Sequence, residues 1–149
     1  MCRRAAWRCG LSEGAQTFEM SIAVEPADID LLGHVNNVVY VRWVQDIAVA
    51  HWRAKASAAD QARLLWIVLR HEIDYRQAAR LGDGIRARTW VGPATRIKFE
   101  RHTELRRESD GALLAKARTV WCPIDAATGK LASVSAEVRA GFSAGRAED

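Results

Sequence analysis

The sequence predicts an α+β domain in which an antiparallel sheet curls around one long buried helix. Three observations predict it: a strand pattern that ends at Pro26, a single long helical pattern from Asn37 to about Ala56, and alternating segments from Trp66 onward that are separated by turn signals. A sheet with one apolar face needs cover, and a lone helix that is apolar around most of its circumference suits that role.

The elements follow in chain order. Phe18 to Val24 alternates apolar and polar positions as a strand does, and Pro26 breaks it. An Asp-rich irregular stretch leads to Gly33. Beyond it Tyr40, Trp43, Val44, Ile47 and His51 fall at helical spacing, with Asn36 or Asn37 as a good N-cap. The valines of this stretch favour strand, but a segment this long without a turn signal exceeds an ordinary strand, so helix is the reading. Ser57-Ala58-Ala59-Asp60 has capping-box spacing and opens a short second helix. Trp66 to Tyr75 reads as a strand with Ile67, Leu69, His71, Ile73 and Tyr75 on one face. Gly82-Asp83-Gly84 turns the chain into a strand over Ile85–Val91. Longer strands over Arg96–Arg107 and Ala112–Asp125 are joined through Ser109-Asp110-Gly111, a hairpin signal. Thr128-Gly129-Lys130 turns again into a short terminal element.

The length of 149 residues fits one domain with one core. The expected boundaries are a disordered basic extension over 1–15, the domain over 16–142 and a disordered tail over 143–149. The longest apolar run, Leu64 to Leu69, is far too short for a membrane span. Net charge is +4, but the arginines are scattered, so a nucleic-acid surface is not expected, and coenzyme phosphates are an equally good anionic partner. The cysteines, Cys2, Cys9 and Cys122, give no disulfide framework, and the default compartment is the reducing cytoplasm. No CxxC or HExxH spacing occurs and His34, His51, His71 and His102 are spread apart, so no metal site is expected.

The connection from Pro26 to Tyr40 carries an unusual load of polar groups for a junction into a buried helix. Asp30 precedes the helix start, where the positive end of the helix dipole favours its ionised form. A carboxylate there can act as general base on water or attack a carbonyl directly. The free N–H groups of the first helical turn can stabilise an oxyanion, and Gly33 permits close approach. Blander roles compete. An Asp before a helix is most often a cap or turn former, His34 a hydrogen-bonded loop residue, and Tyr40, Trp43 and Trp52 core.

The run Asp28-Ile29-Asp30-Leu31-Leu32-Gly33-His34-Val35-Asn36-Asn37-Val38-Val39-Tyr40-Val41-Arg42-Trp43 resembles the signature of the 4-hydroxybenzoyl-CoA thioesterase-like hotdog family. Its nearest branch is that of the bacterial long-chain acyl-CoA thioesterases, which are similar in this motif to plant acyl-ACP thioesterases. The similarity continues through Ile73-Asp74-Tyr75-Arg76, Leu81-Gly82-Asp83 and Trp121-Cys122-Pro123-Ile124-Asp125, and covers roughly residues 16–142.

The resemblance implies a hotdog fold and hydrolysis of a medium- or long-chain fatty acyl-CoA, with no cofactor beyond the coenzyme A of the substrate. It gives Asp30 the catalytic carboxylate role, the helix-start N–H near Asn37 the oxyanion role and His34 a positioning role. Gly33, Asn36, Tyr40 and Trp43 are the candidate substrate-binding positions. It also implies a homodimer or homotetramer with sites at the interface. Departures exist: Leu32 and Ala78 stand where plant acyl-ACP enzymes carry an Asn and a Glu, and Asn37 replaces a histidine of the Tol-Pal-associated branch. An acyl-ACP thioesterase and a non-catalytic acyl-CoA-binding protein are the competing readings; the second has no need of Asp30.

Overall fold

A computed structural model of the chain describes residues 16–142; the expected terminal extensions, with Cys2 and Cys9, lie outside them. The elements are β1 (Thr17–Ala23), a single 3-10 turn (Pro26–Asp28), α1 (Asn37–Lys55), α2 (Ala58–Arg63), β2 (Leu64–Tyr75), β3 (Gly84–Ala94), β4 (Phe99–Arg107), β5 (Leu113–Asp125) and α3 (Ala136–Phe142). The five strands form one sheet in the order β1-β3-β4-β5-β2, every neighbouring pair antiparallel. No helix among the described residues is long and apolar enough to cross a membrane, and no cluster of three or more His, Cys, Asp or Glu there could hold a metal ion.

Asn36 caps α1 by accepting the Val38 N–H on its side chain at 3.1 Å. Arg53 and Lys55 sit in the last turn, where the helix dipole favours cations. The helix lies on the sheet through Val39, Tyr40, Trp43, Val44 and Ile47, which meet Ile85, Ala87, Leu105, Ala115 and Ala117 of the strands, and through Ala48, which meets Val91, Phe99 and Trp121. Burial of each large apolar side chain in this layer contributes about 1.5–3 kcal/mol. His71 belongs to the helix side of β2, its Nδ1 2.9 Å from Thr119 Oγ1.

Ser57 opens α2 as its spacing predicts: its hydroxyl oxygen accepts the Asp60 N–H at 3.1 Å. Three expectations change. The helix is not buried all round, because Val38 is 72% exposed and Val49, Arg42, Gln45 and Asp46 also face outward. Strand β2 does not keep one face: a bulge between Val68 and Arg70 shifts the register. Leu64, Trp66 and Val68 therefore point to the helix layer before it and His71 and Ile73 after it, while Leu65, Ile67 and Leu69 are exposed. Finally, β4 starts at Phe99 rather than Arg96. Thr95 captures the chain in a turn, its hydroxyl accepting the Ile97 and Lys98 N–H groups.

Candidate functional site

The connection from Pro26 to Asn37 is stitched on both sides before it enters the helix. The Asn36 N–H donates to the Asp28 carbonyl at 2.8 Å and the Val35 N–H to the Ala79 carbonyl at 2.9 Å. Asp28 is 2% exposed; its carboxylate accepts the Glu25 N–H at 3.0 Å and Arg42 Nη2 at 2.7 Å. Burial opposes its charge, but the Glu25 N–H and the Arg42 guanidinium outweigh that and hold its carboxyl below the usual value. Asp28 thus anchors the loop to the helix.

Within this frame residues 30–34 form a tight loop. The Asp30 N–H donates to the His34 carbonyl at 2.8 Å and the Gly33 N–H to the Asp30 carbonyl at 3.1 Å. Gly33 closes the loop at φ +77, a conformation that side chains rarely adopt. Asp30 Oδ1 accepts the Leu32 N–H at 2.9 Å, so the turn-forming role is real. Oδ2 has no partner among the described residues.

At the helix start the Val38 and Val39 N–H groups go to Asn36, and the Asn37 N–H has no partner among the described residues. An open cleft of about 350 Å³ brings Asp30, His34, Asn36, Asn37 and Tyr40 together. Tyr40 is buried at its floor, where its hydroxyl accepts the Ala79 N–H at 2.9 Å. Burial pushes the Tyr40 phenol up, so it stays protonated at neutral pH.

Two sequence-predicted positions do not line the cleft. Gly33 shapes the loop from outside it, and Trp43 is 1% exposed, packed on Tyr40 at a ring distance of 5.2 Å. Trp43 is core because it lies one helical turn beyond Tyr40 on the inward face.

Of the opposite wall the sequence picks out Ala78 alone, as a departure from the plant enzymes. Tyr75, Arg76, Gln77 and Ala78 leave the end of β2 and face the loop across the cleft. The Tyr75 hydroxyl donates to the Asn37 carbonyl at 3.0 Å, and its ring meets Tyr40 edge-on at 5.3 Å. The signal available was the Ile73-Asp74-Tyr75-Arg76 run, noted for its resemblance but given no role in the site. Leu81-Gly82-Asp83 is structural: Asp83 accepts Arg107 Nε at 3.2 Å, and Arg107 Nη2 holds the Ala78 carbonyl at 3.0 Å.

Chemically, the cleft offers a carboxylate oxygen, an unpartnered backbone N–H at a helix start, an imidazole and, at the rim, a guanidinium. Comparison with known proteins gives the family and the fold. Residues 24–142 match the model of the thioesterase-like superfamily. No curated protein matches the chain in sequence. Among solved structures it is similar to a 1,4-dihydroxy-2-naphthoyl-CoA thioesterase from Synechocystis, at 18% identity and TM-score 0.73, covering 85% of this chain and 95% of that one. A thioesterase from Thermus thermophilus, complexed with coenzyme A and Zn, gives 21% identity and TM-score 0.72 over 83% of this chain and 94% of that one. The 12:0-ACP thioesterase from Umbellularia californica gives 16% and 0.71 over 84% of this chain and 49% of that one.

Proposed function

Because the chain belongs to the thioesterase-like superfamily and is a thioester hydrolase of the hotdog fold, we propose that it cleaves a medium- or long-chain fatty acyl-CoA at the Asp30 cleft. One observation carries the reading. Asp30, with a carboxylate oxygen that has no partner among the described residues, and Asn37, whose helix-start N–H has none among them, line the same cleft. General-base hydrolysis needs that pair of groups.

In this reading the thioester carbonyl oxygen accepts the Asn37 N–H. Asp30 takes a proton from water, and the hydroxide adds to the carbonyl carbon. Negative charge that develops on the oxygen is met by the positive end of α1. The tetrahedral intermediate collapses with loss of the coenzyme A thiolate, and the proton held by Asp30 returns to sulfur. Free acid and coenzyme A leave. Attack by Asp30 itself, through an anhydride that water then opens, gives the same products. His34 orients the water or the carboxylate from the same wall. Arg76, on the facing wall and half-exposed, suits the phosphates of a coenzyme or of a carrier-protein arm.

Assembly belongs to this reading. Strand β2 is a sheet edge, and Leu65, Ile67 and Leu69 stand exposed along it. A second copy on the β2 edge covers this stripe and turns an open cleft into an enclosed one.

A panel of acyl-CoA thioesters from two to eighteen carbons (roughly the range of common acyl groups), with release of thiol followed over time, tests the proposal directly. Activity that peaks at a medium or long chain is expected. Hydrolysis of acyl carrier protein thioesters only would move the leaving group to the carrier, and tight acyl-CoA binding without turnover would leave a binding protein.

A further inference from the structure

A second cleft lies toward the other end of α1. Trp52, Trp66, Phe99, Trp121 and Phe142 wall it, and Arg101 is its one charged residue. Ala48 and Val49 complete the helix side, 11–12 residues beyond Asn37. At about 1.5 Å per residue this is on the order of 17 Å along the axis from the first helical residue. It shares no lining residue with the Asp30 cleft.

Its polar chemistry is one-sided. Arg101 is 6% exposed, and among the described residues no carboxylate pairs with it. Both of its hydrogen bonds leave from one nitrogen: Nη1 lies 2.9 Å from His51 Nδ1 and 3.3 Å from Thr89 Oγ1. Those partners are neutral. Burial and the Arg101 charge itself push the His51 pKa down to about 4, so at neutral pH the imidazole is uncharged and accepts at Nδ1. Burial lowers the Arg101 pKa to about 10, which leaves the guanidinium charged at neutral pH. The indole Nε1 atoms of Trp66 and Trp121 are buried and have no hydrogen-bond partner among the described residues. The lining contains no carboxylate, amide or hydroxyl side chain. Every polar side-chain group in it is therefore a donor. A buried guanidinium without a counter-ion is costly, and an anion with an apolar body satisfies it within an apolar wall.

We infer that this cleft binds a carboxylic acid with an apolar body, its carboxylate held by Arg101 and its body packed against the aromatic side chains. The acid comes either as a free ligand or as the far end of an acyl group that carries a second carboxylate. The inference stands apart from the hydrolytic reading, because occupancy is read on the protein itself.

Phenylacetate and phenylacetamide, which share a body and differ in the charged head, are the probes. Titration of the full-length protein, followed by the indole N–H resonances, should move the Trp66 and Trp121 signals saturably with phenylacetate. Phenylacetamide should bind about tenfold more weakly or worse, the discrimination expected of hydrogen bonds to a charged group. Arg101→Met keeps the stem and removes the cation, and should bring the two probes level. This comparison survives a misfolded variant, since acid against amide is decided on the unaltered protein. Equal affinity for the two probes, or no shift of either indole signal at about 10 mM phenylacetate (on the order of a millimolar-range site), overturns the inference. A coenzyme A thioester whose acyl chain ends in a second carboxylate separates the two sources: it displaces phenylacetate if the acid is the far end of a substrate, and leaves it bound if the acid is a free ligand.

Discussion

The Tyr75 hydroxyl donates a 3.0 Å hydrogen bond to the Asn37 carbonyl, tying the end of edge strand β2 to the first residue of α1. The bond fixes where the helix begins, and so where the unpartnered Asn37 N–H stands relative to Asp30. Tyr75→Phe keeps the ring contact with Tyr40 and removes only this tie. A net hydrogen bond of about 1 kcal/mol corresponds to roughly a fivefold effect. Turnover should fall by about that factor with KM little changed, and the melting temperature should drop a few degrees. A lower melting temperature with unaltered kcat would make the bond a purely structural one.

His51 gives the fold an acid limit. It is fully buried against Phe18, Phe142 and Arg101, and its pKa falls from 6.5 to about 4 through burial first and the Arg101 and Lys55 charges next. Its folded value lies below its unfolded one, so the unfolded chain binds the proton more readily. Stability is therefore full above pH 6.5 and lost as the pH falls from 6.5 toward 4. The full shift is worth on the order of 3 kcal/mol. His51→Gln keeps an acceptor for Arg101 and cannot take up the proton. Melting temperature measured at pH 7 and pH 5 should fall less for this variant than for the parent, and an equal fall in both would sink the assignment.

Light scattering at micromolar concentration should report a dimer or tetramer, because the β2 edge leaves Ile67 and its neighbours Leu65 and Leu69 exposed. Ile67→Lys places a charge on that stripe without touching the core and should shift the mass toward the monomer. Activity should fall with it if the second copy encloses the cleft. A parent protein that is cleanly monomeric and still turns over substrate would refute the assembly.

What was legible in sequence follows from where each signal resides. Helix α1 announced itself through a cap at Asn36 and spacing at Tyr40, Trp43, Val44 and Ile47, all local. The register of β2 was not legible, because one extra residue at Leu69 flips the inward face without disturbing the composition of the run. The start of β4 was obscured in the same way: Arg96-Ile97-Lys98-Phe99 alternates like a strand, and only the Thr95 hydroxyl reveals the turn. The loop wall of the site is one continuous segment, Asp30 to Tyr40, and could be read directly. Its facing wall, Tyr75 to Ala78, reaches the cleft only through the path of β2. In the sequence Arg101 is one position within the strand Arg96–Arg107, and its isolation from any carboxylate among the described residues is a property of packing alone.

Asp30→Asn carries the proposed hydrolysis. The amide keeps the shape of the carboxylate and can still accept the Leu32 N–H, so the loop closed by Gly33 should persist. What it loses is the charge and the basic lone pairs of Oδ2. Hydrolysis of the preferred acyl-CoA should then fall by roughly two to four orders of magnitude, the usual yield of a positioned general base. KM should move little, because the acyl chain and the coenzyme phosphates are held by other groups. His34→Ala should cost less, on the order of tenfold to a hundredfold, if the imidazole only orients the water or the carboxylate. A residue that served solely as a turn former behaves differently: its loss costs about 1 kcal/mol of stability and leaves turnover intact. Melting temperature and turnover measured on the same Asp30→Asn sample separate the two cases, and a stable, fully active variant removes Asp30 from the chemistry.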